Sequence, residues 1–180
     1  MREKSDQASA PLTRRQFVAV GALAAASVAA GCSGHQGSFE FLTDEEARTL
    51  AVLCDQIIPA DDYPSASQAG VVTYIDLQLT RHYRRHQRAY RSGLAEAERF
   101  SQERFGSAVA ASSAEQQLAT VRMLEHERRR FFELLRSHTM EGYYGSPRHG
   151  GNRDAVSWRM LGLAEPPVRG RAQYRVASQS

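Results

Sequence analysis

Thr43-Asp44-Glu45-Glu46-Ala47-Arg48-Thr49-Leu50-Ala51-Val52-Leu53-Cys54-Asp55-Gln56-Ile57-Ile58-Pro59 is the stretch on which the fold turns. Thr43 with Glu46 three residues on is a capping box. The hydroxyl and the carboxylate each accept from a backbone N–H that a helix start leaves unpaired. Ala47, Leu50, Leu53, Cys54, Ile57 and Ile58 follow at spacings of three and four, which makes one helix face apolar. Pro59 disfavours helical geometry at Ile58 and ends the run. The stretch therefore predicts one amphipathic helix of about four turns, whose apolar face needs other helices to cover it. Cys54 lies on that face and reads as a buried small hydrophobe rather than a reactive thiol.

Toward the C-terminus the same periodicity recurs. Pro59 to Gly70 is a loop of helix breakers, and a long helix is predicted from about Val71 to Phe105. On it Val72, Ile75, Leu79, Tyr83, His86 and Tyr90 share one face, with Arg81, Arg84, Arg85, Arg88 and Arg91 opposite. Such a cationic strip is either a solvated face or a docking strip for an acidic partner surface or lipid headgroups. After a weak break at Gly106 to Ala111, Ser112-Ser113-Ala114-Glu115 is a second capping box, opening a helix to about Met140. One short helix is expected between Asp154 and Leu161. No alternating apolar run is long enough for a sheet, and there is no internal repeat. The expected fold is all-α: a small irregular helical domain over residues 41–165 with a glycine-rich C-terminal loop, then a loose tail at 166–180.

Toward the N-terminus the chain changes character. Residues 33–40 read as a short Gly/Ser-containing linker. Before it, Thr13-Arg14-Arg15-Gln16-Phe17 leads into an apolar run ending at Ala30. That run, Phe17 to Ala30, spans roughly 21 Å as a helix, short of the roughly 30 Å of a bilayer core. A charged start followed by a short apolar stretch of small residues is a signal peptide. Arg14, Arg15 and Phe17 give it the pattern of a twin-arginine export signal, so residues 1–32 are expected to send the chain to the periplasm. Val28-Ala29-Ala30-Gly31-Cys32 has the outline of a lipoprotein cleavage box, with Cys32 as the lipidated residue. Ordinary cleavage after Ala29 or Ala30, or no cleavage, are the alternatives.

Composition narrows the function. The chain has 180 residues, 42% hydrophobic and 24% charged, which excludes disordered and collagen-like classes. Of its formal charge of +3, residues 1–32 carry two (Arg2, Lys4, Arg14 and Arg15 against Glu3 and Asp6). The body is thus nearly neutral, and no broad nucleic-acid surface is indicated. With only Cys32 and Cys54 there is no disulfide framework and no zinc spacing. His82 and His86 stand at i, i+4, which can chelate an ion on a helix, but no HExxH frame, paired ExxH motif or CxxCH site accompanies them. They read as packed core histidines. Asp61-Asp62 reads as a loop. No dinucleotide fingerprint, P-loop or nucleophile elbow is present.

One segment stands apart: Gly142-Tyr143-Tyr144-Gly145-Ser146-Pro147-Arg148-His149-Gly150-Gly151-Asn152-Arg153-Asp154-Ala155-Val156-Ser157-Trp158. A stretch so rich in glycine is entropically expensive to order, so contacts must hold it, within the fold or across an interface. Aromatic and arginine residues are the usual interface anchors. Tyr143, Tyr144, Arg153 and Trp158 are therefore the candidate partner-binding residues. The alternative is that the loop only closes the chain's own core, with Trp158 buried inside it.

That segment, with Gly162 beyond it, resembles the small subunit of membrane-associated gluconate 2-dehydrogenase, the subunit 3 or gamma-subunit family. Ile57-Ile58-Pro59-Ala60-Asp61-Asp62, Ala69-Gly70-Val71-Val72 and Tyr74-Ile75-Asp76 are similar to it as well, as is the twin-arginine signal. The resemblance covers about Phe41 to Gly162. Ser65 stands where relatives often carry Gly-Ala, and Cys32 leaves the mode of attachment open. The resemblance implies a noncatalytic small subunit, without a cofactor of its own, that accompanies an FAD-dependent glucose-methanol-choline-type sugar or sugar-acid dehydrogenase. A cytochrome c subunit carrying haem commonly completes such complexes, which associate with the membrane. The large subunit often lacks an export signal and crosses the twin-arginine translocase with the small one. Two rivals from other classes remain at this point: a free-standing metalloprotein or enzyme using His82, His86 and nearby carboxylates, and a structural lipoprotein.

Overall fold

The computed structural model describes residues 39–163, and Arg14, Arg15, Phe17 and Cys32 lie outside them. The described residues form six α-helices and no strand: α1 Asp44–Ile57, α2 Val71–Thr80, α3 Gln87–Phe105, α4 Ala114–Glu127, α5 Arg129–Tyr144 and α6 Val156–Met160. None is long and apolar enough to cross a membrane.

α1 starts as its sequence dictates. Thr43 Oγ1 accepts from Glu46 N at 3.1 Å, and Glu46 Oε2 accepts from Thr43 N at 2.9 Å. Its apolar stripe is the centre of the core: Leu50, Leu53 and Cys54 are fully buried, packed among Ile75 and Leu79 of α2, Tyr90 and Leu94 of α3, Leu124 of α4 and Leu135 of α5. Cys54 lies where the stripe placed it. Its thiol contacts Thr139 Oγ1 at 3.3 Å, and burial pushes its pKa up to about 12. Asp76, 2% exposed, accepts from the backbone N–H groups of Glu40, Phe41 and Leu42 at 2.7, 2.9 and 2.8 Å. One carboxylate thereby fixes the direction in which the chain enters α1.

Three boundaries differ from the expectation. The helix expected over 71–105 is two helices, because Arg81 leaves helical geometry (φ −121°, ψ −105°) and residues 84–86 form a 3₁₀ turn. Tyr83 N donates back to Gln78 O at 2.7 Å, and Gln87 Nε2 caps Leu79 O at 2.9 Å. The helix expected to run to Met140 breaks at Arg128 (φ −123°, ψ 40°), which ends α4 and begins α5. The second capping box sits one residue later than expected. Ser113 caps α4 with Gln116 as its partner, while Ser112 turns inward to the hydroxyls of Ser101 and Ser107 at 3.0 and 2.8 Å.

The break at 81–86 also rearranges the side chains placed on one long helix. His82 is exposed, so it is not a core histidine, and with the helix interrupted His82 and His86 do not form an i, i+4 pair on one face. The histidine that packs with His86 is His138 of α5, with ring centroids 5.5 Å apart. Among the described residues no group of three or more His, Cys, Asp or Glu side chains is placed to hold a metal ion. The cationic strip divides too. Arg91 turns to α1, pairs with Glu46, donates to Phe41 O at 2.7 Å and lies 4.2 Å over the Phe41 ring.

Candidate partner-binding surface

α5 runs four residues beyond the expected end near Met140 and ends at Tyr144. Consecutive tyrosines on a helix point about 100° apart, and here that angle separates core from surface. Tyr143 is 2% exposed and its hydroxyl donates to Pro64 O at 2.8 Å. It belongs to the core, which corrects its assignment as an interface anchor. Tyr144 is 36% exposed, its ring edge-on to Tyr143 at 5.1 Å.

Beyond α5 the glycine-rich chain folds back on the molecule. Gly70, the residue before α2, has φ +84°, and a Cβ there would stand 2.9 Å from Gly150 O. A Cβ on Gly151 would collide with the Gly142 carbonyl. Backbone therefore meets backbone without side chains between, which is the use of these glycines. Arg153 N donates to Ala69 O at 2.8 Å, completing the seam.

Asn152 holds the turn. It is fully buried, at φ +44°, and its side chain is used at both ends. Nδ2 donates to Gly145 O at 2.8 Å and Oδ1 accepts from Ser157 N at 2.9 Å. Asp154 and Ala155 also have positive φ, 56° and 53°. Three consecutive-region residues in left-handed geometry are uncommon, and asparagine is the type that tolerates it best. The sequence reading required contacts to order this loop but did not identify Asn152. Its signal was there: an asparagine after two glycines is where a left-handed turn is expected.

The loop ends by delivering Trp158, whose Nε1 donates to Tyr144 O at 2.9 Å. Trp158 is half-buried, not enclosed, and Arg153 is exposed. Beside Tyr144 lies a hollow of about 320 Å³ lined by Ile57, Ile58, Pro59, Met140 and Met160, with Met140 43% exposed; farther along the chain Leu161 and Leu163 are both 55% exposed. Met140 and Tyr144 are i, i+4 on the outer side of α5. Of the two, the sequence singles out Tyr144 and not Met140. The structure thus keeps Tyr144 and Arg153 exposed and Trp158 half-buried, withdraws Tyr143, and adds Met140, Leu161 and Leu163 as exposed apolar residues.

A second cluster reaches from the core, at Tyr90 and His138, to the surface at Glu141. Tyr83, turned inward by the break between α2 and α3, stacks on the His138 ring with centroids 3.7 Å apart and 4° between planes. Its hydroxyl meets Glu141 and, at 2.8 Å, Tyr74. Tyr90 OH lies 2.9 Å from His138 Nδ1. Desolvation holds His138 at a pKa of about 4, assisted by the positive charge of Arg85 and by His86, against the opposing pull of Glu141. Burial and the hydrogen bond to Glu141 push the Tyr83 phenol up, and burial does the same to Tyr90. His138, Tyr83 and Tyr90 are thus held neutral and hydrogen-bonded.

The family model for gluconate 2-dehydrogenase subunit 3 matches residues 44–164, which takes in every helix and the whole glycine-rich loop. The chain belongs to the gluconate 2-dehydrogenase subunit 3 family. No curated protein and no solved structure matches it. The subunit 3 family consists of subunits of a multi-subunit gluconate dehydrogenase complex, so this chain is an accessory subunit of a dehydrogenase assembly. In that setting an exposed apolar surface held rigid by a glycine-rich seam has an evident use. Monomeric proteins seldom leave such clusters uncovered.

Proposed function

We propose that this subunit is the noncatalytic escort of a periplasmic FAD-dependent dehydrogenase of the glucose-methanol-choline type, acting on a sugar or sugar acid such as gluconate. The exposed Met140 and Tyr144 and the hollow beside them, together with Trp158, Arg153, Leu161 and Leu163, form its contact with the flavoprotein. The observation that carries this reading is the family match over the helices and loop, joined to that uncovered surface. The flavin belongs to the large subunit, and haem c to a cytochrome subunit where one is present. Arg14, Arg15 and Phe17 direct twin-arginine export, and the flavoprotein crosses with this chain. The complex attaches to the membrane through its other subunits or through a lipid on Cys32.

Co-expression with the flavoprotein tests the contact. Tyr144→Ala should weaken assembly by about 2 kcal/mol, the scale of an interface hot spot, with the subunit's melting temperature nearly unchanged. Replacing Arg14 and Arg15 by lysine should hold both proteins in the cytoplasm. Undiminished periplasmic dehydrogenase from the double-lysine chain would refute the escort role, and undiminished assembly by Tyr144→Ala would refute the surface.

A further inference from the structure

The α3–α5 face carries a second surface. α3 and α5 run antiparallel, with His86 beside His138 and Gly93 against Phe131. Between them is a groove of about 610 Å³, with Ala89, Gly93, Phe131 and Leu134 forming its floor. Ser92 and Arg130 stand on its two walls. Its end at His86 adjoins Arg85, whose Nε lies 3.0 Å from His86 Nε2.

The charges around it are unbalanced. Arg130 lines the groove, Arg85 adjoins its His86 end and Arg88 lies one helical turn before the lining Ser92; all three are exposed, and among the described residues none of them makes an ion pair. The other two arginines on the lining, Arg128 and Arg129, are paired with Glu96 and Glu133. Glu127 is the one acid on the groove's lining. Unpaired arginines flanking an apolar trough between two helices match the acidic rim and apolar stripe of a third helix.

We propose that this groove binds an acidic amphipathic helix of a protein partner within the dehydrogenase assembly. It seats the helix's apolar residues on Phe131 and Leu134 and its carboxylates on Arg85, Arg88 and Arg130. An anionic membrane is the other polyanion that could meet these arginines. The trough is concave, however, and none of the exposed large hydrophobic residues (Tyr63, Leu118, Met140, Tyr144, Leu161 and Leu163) belongs to α3 or to the arginine-rich turn, so this edge offers little to enter a bilayer. The proposal rests on the chain being a subunit of an assembly, but not on the surface around Tyr144.

Titration of the purified chain with a synthetic Leu/Glu amphipathic helix, its Leu/Lys counterpart, and phosphatidylglycerol vesicles tests it. The Leu/Glu helix should bind, and its affinity should fall at least roughly tenfold between about 50 and about 500 mM sodium chloride. Arg85→Glu with Arg130→Glu should lower it a further roughly tenfold, while Tyr144→Ala leaves it unchanged. A photo-crosslinker at Ser92 in the assembled complex should label a net-acidic protein segment. Equal binding of the Leu/Lys helix, insensitivity to the two reversals, or labelling of lipid alone would overturn the proposal. Loss of flavoprotein assembly in Tyr144→Ala with peptide binding intact separates the two surfaces: failure of one leaves the other standing.

Discussion

Replacing Asn152 with alanine removes two hydrogen bonds at once, one buried and one part-buried. The carbonyl of Gly145 loses its donor and the amide of Ser157 loses its acceptor. The buried Ser157 N–H left unpaired costs about 1–3 kcal/mol, and the part-buried Gly145 carbonyl, which water can reach, about 1 kcal/mol. Alanine must also adopt φ +44°, which costs a β-carbon-bearing residue about 1 kcal/mol more. The expected loss is about 3–5 kcal/mol, a large share of a small domain's stability. Asn152→Gly isolates the backbone contribution, since it loses the same two bonds without the left-handed penalty, so it should be milder by about 1 kcal/mol. Asn152→Asp keeps an acceptor for Ser157 but turns a charge toward the Gly145 carbonyl, and should be no better than alanine. Ser157→Ala is the control: the Ser157 hydroxyl is buried with no partner among the described residues, so its removal should be neutral or stabilising. Urea unfolding of the mature chain, followed by tryptophan fluorescence, reads all four. An alanine variant within about 1 kcal/mol of the parent, or equal to the glycine variant, would refute this account of the loop.

Acid should loosen the α3–α5 seam. The pKa of His138 is depressed from 6.5 to about 4 in the fold, so the unfolded chain binds the proton first. Stability is full above pH 6.5 and falls as the pH drops toward 4, by at most about 3 kcal/mol at 1.4 kcal/mol per unit. His138→Gln, which keeps an acceptor near Tyr90 but cannot titrate, should flatten that part of a melting-temperature profile. At Gly93 two effects oppose: alanine would gain about 1 kcal/mol of helix propensity, but its Cβ would strike the Phe131 ring. Overpacking of this kind costs about 1–3 kcal/mol, so thermal unfolding should show net destabilisation, relieved when Phe131→Leu is combined with it.

What the sequence made legible follows a physical line. Thr43, Glu46 and the stripe through Cys54 are local signals, and the structure repeats them. Ser112 and Ser113 are both cap residues with a partner three positions on, Glu115 and Gln116, so only the inward hydroxyl cluster decides between them. The breaks at Arg81 and Arg128 carry neither glycine nor proline. They are imposed by distant contacts: Tyr83 on His138 and Glu141, and Arg128 on Glu96 at 3.0 Å. The same holds for the histidines, since the partner that matters to His86 is 52 positions away and shares no spacing rule with it. Tyr144 reads as a surface candidate from its residue type, but that Tyr143 beside it is buried and Met140 exposed depends on where the loop after α5 goes.

Core and surface are not competing explanations of the glycine-rich loop. Tyr143 and Tyr144 are adjacent, and the helical turn sends one into the Pro64 carbonyl and the other to the exterior. Trp158 is tied to the backbone of Tyr144, so the exposed aromatic and the half-buried one move as a unit. That unit is aimed by Asn152, whose two bonds span the loop from Gly145 to Ser157. Left-handed geometry at Asn152, Asp154 and Ala155 costs free energy that a plain helix-to-helix turn would avoid. The fold retains it because the tight reversal allows Gly150 and Gly151 to reach Gly70 and Gly142 while α6 returns beside α5. A surface preorganised in this way loses little conformational entropy when a partner covers it, and that is the condition under which a small apolar cluster can contribute substantially to assembly.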